Sequence, residues 1–97
     1  MVRYNSEGLK NMMLQILAKA VDDYRRNLRA IERNKKKLEL STDLEESIEL
    51  IGKIKLSEGE NKAIVRYILD EKSNCYVYTD LEPSYFIKKF REEFGIE

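Results

Sequence analysis

The chain has 97 residues, zero net charge, no histidine and a single cysteine, Cys75. The lack of histidine excludes Ser-His-Asp and Cys-His catalysis, and with one cysteine the usual zinc-ligand sets and an intramolecular disulfide are excluded as well. A charged fraction of 37% beside a hydrophobic fraction of 42% is typical of a globular protein rather than a disordered one.

These features predict a single domain over residues 1–97 in a reducing, cytoplasmic setting, with Cys75 buried and inert. No apolar run approaches the length that spans a membrane, so no membrane partner is expected. The sequence holds neither a P-loop nor a GxGxxG motif. We therefore expect a non-catalytic protein with no cofactor, no bound metal and no small-molecule substrate.

Residues Ser6–Leu38 are predicted to form one long helix. Apolar residues recur at steps of three and four from Leu9 to Leu38, and no proline interrupts them. At ~1.5 Å per residue this helix would be ~50 Å long, whereas a compact domain of this size has a radius of gyration of ~13 Å. Four-residue steps repeat from Ile16 to Leu28, which departs from a clean heptad and favours packing on a sheet over a coiled coil.

The second half of this helix is strongly basic. Residues 25–37 hold seven cations against one anion, Glu32, while the rest of the chain is net acidic. Cations at three- and four-residue steps share a helix face and can neutralise the phosphates of a nucleic acid. The predicted nucleic-acid-binding residues are Arg25, Arg26, Arg29, Arg33, Lys36 and Lys37. The alternative is a solvated helix end whose cations suit the negative end of the helix dipole.

The length of the helix also predicts a homodimer, because a domain of this size cannot cover all of it. A second copy would enlarge the small core that such a chain can build. The predicted dimer interface is the narrow apolar stripe of Leu28, Ile31 and Leu38.

Three stretches in the middle of the chain are predicted to be strands. Apolar and polar residues alternate over Ile48–Leu56, as in a half-buried strand. Ala63–Leu69 and Cys75–Thr79 are rich in β-branched and aromatic residues, which favour strands. The polar segments 57–61 and 70–74 between them are predicted turns, so the three strands would form an antiparallel meander.

The end of the chain is predicted to be a helix over Leu81–Phe94. Pro83 suits its first turn and Gly95 suits its end. Three phenylalanines fall on one face, as expected for a core-facing helix. The predicted fold class is therefore α+β: a long N-terminal helix, a three-stranded antiparallel meander and a C-terminal helix, with both helices on one face of the sheet.

A winged helix-turn-helix is the alternative fold. Ser57 and Glu60 have the spacing of a capping box, and Ile64, Tyr67 and Ile68 fit a helical stripe. Residues 43–51 and 57–71 would then be two helices, followed by a strand at 75–79.

The segment PSYFIKKFREEFGI, residues 83–96, resembles the end of the DNA-binding domain of AraC-type transcription regulators. In that family a similar segment forms the recognition helix of a helix-turn-helix. The resemblance covers 14 of the 97 residues. Lys89 stands where the family has a buried apolar residue, and residues 73–82 read as strand where the family has its first helix. No residue role is carried over from the family.

The function predicted from these features is that of a small, non-catalytic regulatory or accessory protein, dimeric, which binds DNA or RNA through its basic helix face. The alternative is a protein-binding module, such as an inhibitor, adaptor or accessory subunit, without nucleic-acid contact. Zero net charge, the asymmetry of charge along the chain and a three-stranded sheet with an exposed edge support the alternative.

Overall fold

A computed structural model describes residues 6–97 as four helices. They are α1 (Ser6–Leu40), α2 (Leu44–Leu69), α3 (Asn74–Thr79) and α4 (Pro83–Phe94). Helices account for 86% of the described residues, and no strand occurs among them. The predicted α+β fold with its meander is therefore wrong, and so is the strand of the winged-helix alternative. Within the described range, no helix is long and apolar enough to cross a membrane.

Two of the predicted helices are confirmed. The long helix runs from Ser6 to Leu40, two residues beyond the predicted end. The last helix begins at Pro83, two residues after the predicted start, and ends at Phe94 as predicted. Gly95 follows it with φ of 65° and donates its backbone N–H to the carbonyl of Arg91, so it closes the helix as predicted.

The chain divides into two compact units. The hairpin unit spans Ala20–Val65, and the terminal unit comprises the described residues up to Lys19 together with Arg66–Glu97. In the hairpin unit, α1 and α2 run antiparallel, joined by the three residues 41–43. Asp43 caps α2, because its carboxylate accepts a hydrogen bond of 3.1 Å from the backbone N–H of Glu45.

The two helices of the hairpin meet along a seam with heptad spacing. The seam contains covered or partly covered positions of both helices: Ala20, Tyr24, Asn27, Ile31, Asn34 and Leu38 of α1, and Ser47, Leu50, Ile54, Ser57, Asn61 and Ile64 of α2. Their steps alternate between three and four, which is the pattern of helices that pack side by side. The predicted packing of this helix on a sheet is wrong, because no strand occurs among the described residues. Polar residues occupy several seam positions, so the heptad spacing is not visible when apolar residues alone are counted.

The alternation over residues 48–56 does not produce a strand. Leu50 and Ile54 are buried in the seam, four residues apart on one helix face. Ile48 and Leu56, which a strand would place on that same face, are exposed. Packing against α1 therefore overrides a local preference for strand, which is weak and depends on context. The predicted turn at 57–61 also lies inside α2.

Residues 75–79 form helix α3 rather than a strand, despite their β-favouring composition. Cys75, Tyr76 and Thr79 are buried together on one helical face, while Val77 and Tyr78 are exposed. The Tyr76 hydroxyl donates to the carbonyl of Ile68, and the ring of Tyr76 lies 6.1 Å from that of Phe86. The segment is therefore a helix because that conformation places its buried residues on one face. The predicted burial of Cys75 is confirmed.

Candidate nucleic-acid interface

The basic residues of α1 follow the side of the helix that faces away from α2. At 100° per residue, Arg29 lies opposite the seam positions Ile31 and Leu38. Arg26, Arg33, Lys36 and Lys37 fall within about a quarter turn of Arg29, and all of them are exposed. Arg25 lies on the same side, 40° from Arg29, but it is half-buried. The five exposed residues Arg26, Arg29, Arg33, Lys36 and Lys37 form one outward surface, called the basic face below.

Acidic neighbours partly neutralise this region of the helix. Carboxylates one turn earlier pair with three of the cations: Arg25 with Asp22 at 3.5 Å, Arg26 with Asp23 at 3.8 Å, and Lys36 with Glu32 at 3.4 Å. The pairs of Arg26 and Lys36 belong to the basic face. Exposed pairs of this kind contribute about 0–1 kcal/mol, so an anionic ligand can displace them at little cost.

Arg29, Arg33 and Lys37 form the unneutralised part of the basic face. They recur at four-residue steps, and none has an ion-pair partner within residues 6–97. Along a helix such steps cover ~6 Å each, so the three charges form a short row parallel to the helix axis. A row of this kind attracts a polyanion more strongly than scattered single cations do.

An open hollow lies on the same surface. Its lining consists of Arg29, Glu32, Arg33, Lys36, Lys37 and Leu40, all from α1. Four of these six side chains are cationic, and their flexible stems can converge on a phosphate oxygen. The hollow is open to solvent, which suits the backbone of an extended ligand better than an enclosed small molecule.

The three residues predicted to form the dimer interface do not share one environment. Ile31 and Leu38 are partly covered in the seam with α2, whereas Leu28 is 40% exposed beside it. Within the hairpin unit, two of the three residues of the stripe therefore lie in the seam with α2.

A second open hollow lies in the terminal unit, which the sequence did not indicate. Leu69, Glu71, Ser84, Ile87, Lys88, Arg91 and Glu92 line it. Its charges are balanced, with two carboxylates beside two cations.

One of the two expected differences from the AraC-type segment is absent. The residues before the last helix were predicted to be a strand, but they contain the helix α3. The difference at Lys89 remains, because its ammonium group lies over the ring of Tyr85, 5.1 Å from the centroid, on the exposed side of α4.

Buried polar side chains join α2 to α3 in the terminal unit. The hydroxyl of Ser73 lies 3.1 Å from the sulfur of Cys75, which also contacts Tyr67. Burial raises the pKa values of Tyr67 and Tyr76, and the nearby Cys75 thiol raises both further. These contacts hold the short helix α3 in place and leave Cys75 without access to solvent.

Comparison with known proteins adds no family to these observations. Neither protein-family models, nor the curated proteins, nor the solved structures contain a match to this chain.

Proposed function

We propose that this protein is a small, non-catalytic accessory or regulatory protein of the cytoplasm that binds DNA or RNA through the basic face of α1. The observation that carries the proposal is the outward row of Arg29, Arg33 and Lys37, exposed and without carboxylate partners among the described residues. The cytoplasmic setting rests on the single cysteine, which is buried and forms no disulfide.

The arrangement of charge supports the nucleic-acid proposal in spite of the zero net charge of the chain. Electrostatic attraction to phosphates acts over about a Debye length, ~8 Å at physiological salt. A local row of cations can therefore attract a polyanion although the whole chain is neutral. The alternative, a protein-binding module, loses one of its three supports, because the described residues contain no sheet and hence no exposed sheet edge.

The salt dependence of binding tests the proposal. Arg29→Gln/Arg33→Gln removes two charges from the basic face, while arginine and glutamine have similar helix propensities. On duplex DNA each phosphate contact contributes about 0.9 to the slope of log affinity against log salt, so we expect the slope to flatten by about 2. Binding should weaken alike on unrelated sequences, as measured by fluorescence anisotropy with labelled duplexes over a salt series.

Lys88→Gln/Arg91→Gln is the matched control. It removes the same charge from two exposed residues of α4, outside the basic face. We expect its affinity and salt slope to equal those of the unmodified protein. The proposal is wrong if the Arg29/Arg33 variant binds as tightly and with the same slope as the unmodified protein, or if only the α4 variant changes.

A further inference from the structure

The basic face of α1 is built from cations alone. At 100° per residue it covers an arc of about 100° around the helix axis, bounded by Lys36 and Lys37. Within residues 26–37, every position that falls inside this arc is an arginine or a lysine. The arc therefore holds no aromatic ring and no amide group, and a ligand on this face is bound through its negative charge.

The hairpin unit, which carries the basic face, has no exposed aromatic ring. The structure describes this unit throughout, and Tyr24 is its one aromatic residue. Tyr24 is 8% exposed and lies in the seam, while the other described tyrosines and phenylalanines belong to the terminal unit. Proteins that bind single-stranded nucleic acids stack the unpaired bases on aromatic side chains beside a basic groove. The hairpin unit offers no such ring to an unpaired base.

The amide side chains of this part of α1 are turned away from the basic face. Asn27 donates a hydrogen bond of 2.9 Å to Asn61 across the seam, and Asn34 is only 9% exposed. Hydrogen bonds to the edges of splayed-out bases are the second means by which proteins recognise single strands. Since both asparagines lie in the seam, the phosphate backbone is the part of a nucleic acid that the basic face can bind.

The density of phosphates then decides which form of nucleic acid is bound more tightly. The basic face extends from Arg26 to Lys37, which is about 17 Å along the helix axis. Over that length duplex DNA carries about ten phosphates, because it has one charge per ~1.7 Å, whereas one strand carries about five. A duplex therefore presents more negative charge to the same cations.

We propose that the ligand of the basic face is a double-stranded nucleic acid, bound through its phosphates in preference to a single strand. The inference rests on the proposed function and specifies its ligand. Duplex DNA and duplex RNA share this chemistry, so both are included in the test.

Affinities for paired and unpaired forms of the same oligonucleotide test the inference. A labelled duplex and its separated strands, free of self-complementary stretches, are titrated in DNA and RNA versions and followed by fluorescence anisotropy over a salt series. For about four phosphate contacts, the slope of log affinity against log salt should be about −3.6 on duplex DNA and about −2.8 on its strands. If the affinities are equal at 1 M salt, this difference gives about a tenfold preference for the duplex at 50 mM.

An added aromatic ring tests the reason for the preference. Leu40 is 83% exposed, lies 20° from Arg29 around the helix and lines the hollow of the basic face. Leu40→Trp should raise the affinity for single strands at least about fivefold through base stacking and leave the duplex affinity unchanged. Leu56→Trp is the matched control, because Leu56 is a 66% exposed leucine of α2. It should change neither affinity, and far-UV circular dichroism should be the same for both variants.

The outcomes separate this inference from the proposed function. Tighter binding of duplex DNA, duplex RNA or both than of the strands supports the inference. Equal or tighter binding of single strands overturns it while the proposed function stands, and so does an unchanged single-strand affinity in Leu40→Trp. Absence of binding to every nucleic acid overturns the proposed function and the inference with it.

Discussion

Asn61 illustrates at the scale of one residue how the hairpin unit is specified. It is only 7% exposed, and its side-chain amide is paired at both ends. Its oxygen accepts a hydrogen bond of 2.9 Å from the amide of Asn27, and its nitrogen donates to the carbonyl of Tyr24 at 3.3 Å. Polar groups in a seam cost stability unless they are paired, and a single buried asparagine can fix the register of two helices.

Replacing Asn61 with alanine should destabilise the protein by about 1–3 kcal/mol. The substitution removes both hydrogen bonds and leaves the amide of Asn27 without its partner in the seam. Urea unfolding followed by circular dichroism measures the free energy of unfolding. Asn11→Ala, at an exposed position of α1, should stabilise by at most about 0.7 kcal/mol through helix propensity. Equal stability of the two variants would contradict a structural role for the amide pair.

At the scale of the elements, α2 continues through residues that commonly interrupt helices. Gly59 lies in its interior next to two glutamates, in a stretch that reads as a turn. Nothing lies within 4 Å of the position that a Cβ atom would take there. The helix is therefore maintained by its contact with α1 rather than by local propensity, since glycine disfavours a helix interior.

Gly59→Ala should raise the free energy of unfolding by about 0.5–1 kcal/mol, because alanine loses less backbone entropy and meets open space. Gly95→Ala is the opposite case. Gly95 has φ of 65°, a left-handed conformation that costs a residue with a Cβ atom roughly 1–2 kcal/mol. The melting temperature and the free energy of unfolding in urea should rise for Gly59→Ala and fall for Gly95→Ala. Stabilisation by both would mean that Gly95 does not need its left-handed conformation.

At the scale of the whole molecule, the buried tyrosines predict how stability changes with pH. Burial raises the pKa of Tyr24 in the hairpin unit and of Tyr67 and Tyr76 in the terminal unit above the ordinary value of 10.0. Above about pH 10 the unfolded chain loses these phenolic protons while the folded chain retains them. Stability is therefore fully present below pH 10 and falls as the pH rises further.

Tyr76→Phe separates this effect from ordinary packing. The variant loses the hydrogen bond to the Ile68 carbonyl and should be about 0.5–1.5 kcal/mol less stable at neutral pH. Its stability should decline less steeply above pH 10, because one raised pKa is gone. Tyr78→Phe, at an exposed position, should change neither quantity. Urea unfolding at pH 7 and at a series of alkaline pH values tests both expectations, and parallel alkaline declines for Tyr76→Phe and the unmodified protein would refute them.

The sequence by itself determined those features that depend on local pattern. An uninterrupted helical period defined α1, Pro83 indicated the first turn of α4, and Gly95 marked its end. The concentration of cations between residues 25 and 37 was also visible, because charge is read directly from residue type. The particular cations that lack carboxylate partners required the structure, since pairing depends on side-chain positions.

Only the tertiary structure decided the fold class. Residues 48–56 and 75–79 have the composition of strands, but the preference for strand spans only about 1 kcal/mol and changes with surroundings. Burial of Leu50 and Ile54 against α1, and of Cys75 and Tyr76 in the terminal unit, outweighs that preference. The polar seam could not be predicted for the same reason. In the sequence Asn61 lies in a stretch typical of a turn. Its hydrogen bond to Asn27, 34 positions away, depends on how the two helices pack and not on local sequence.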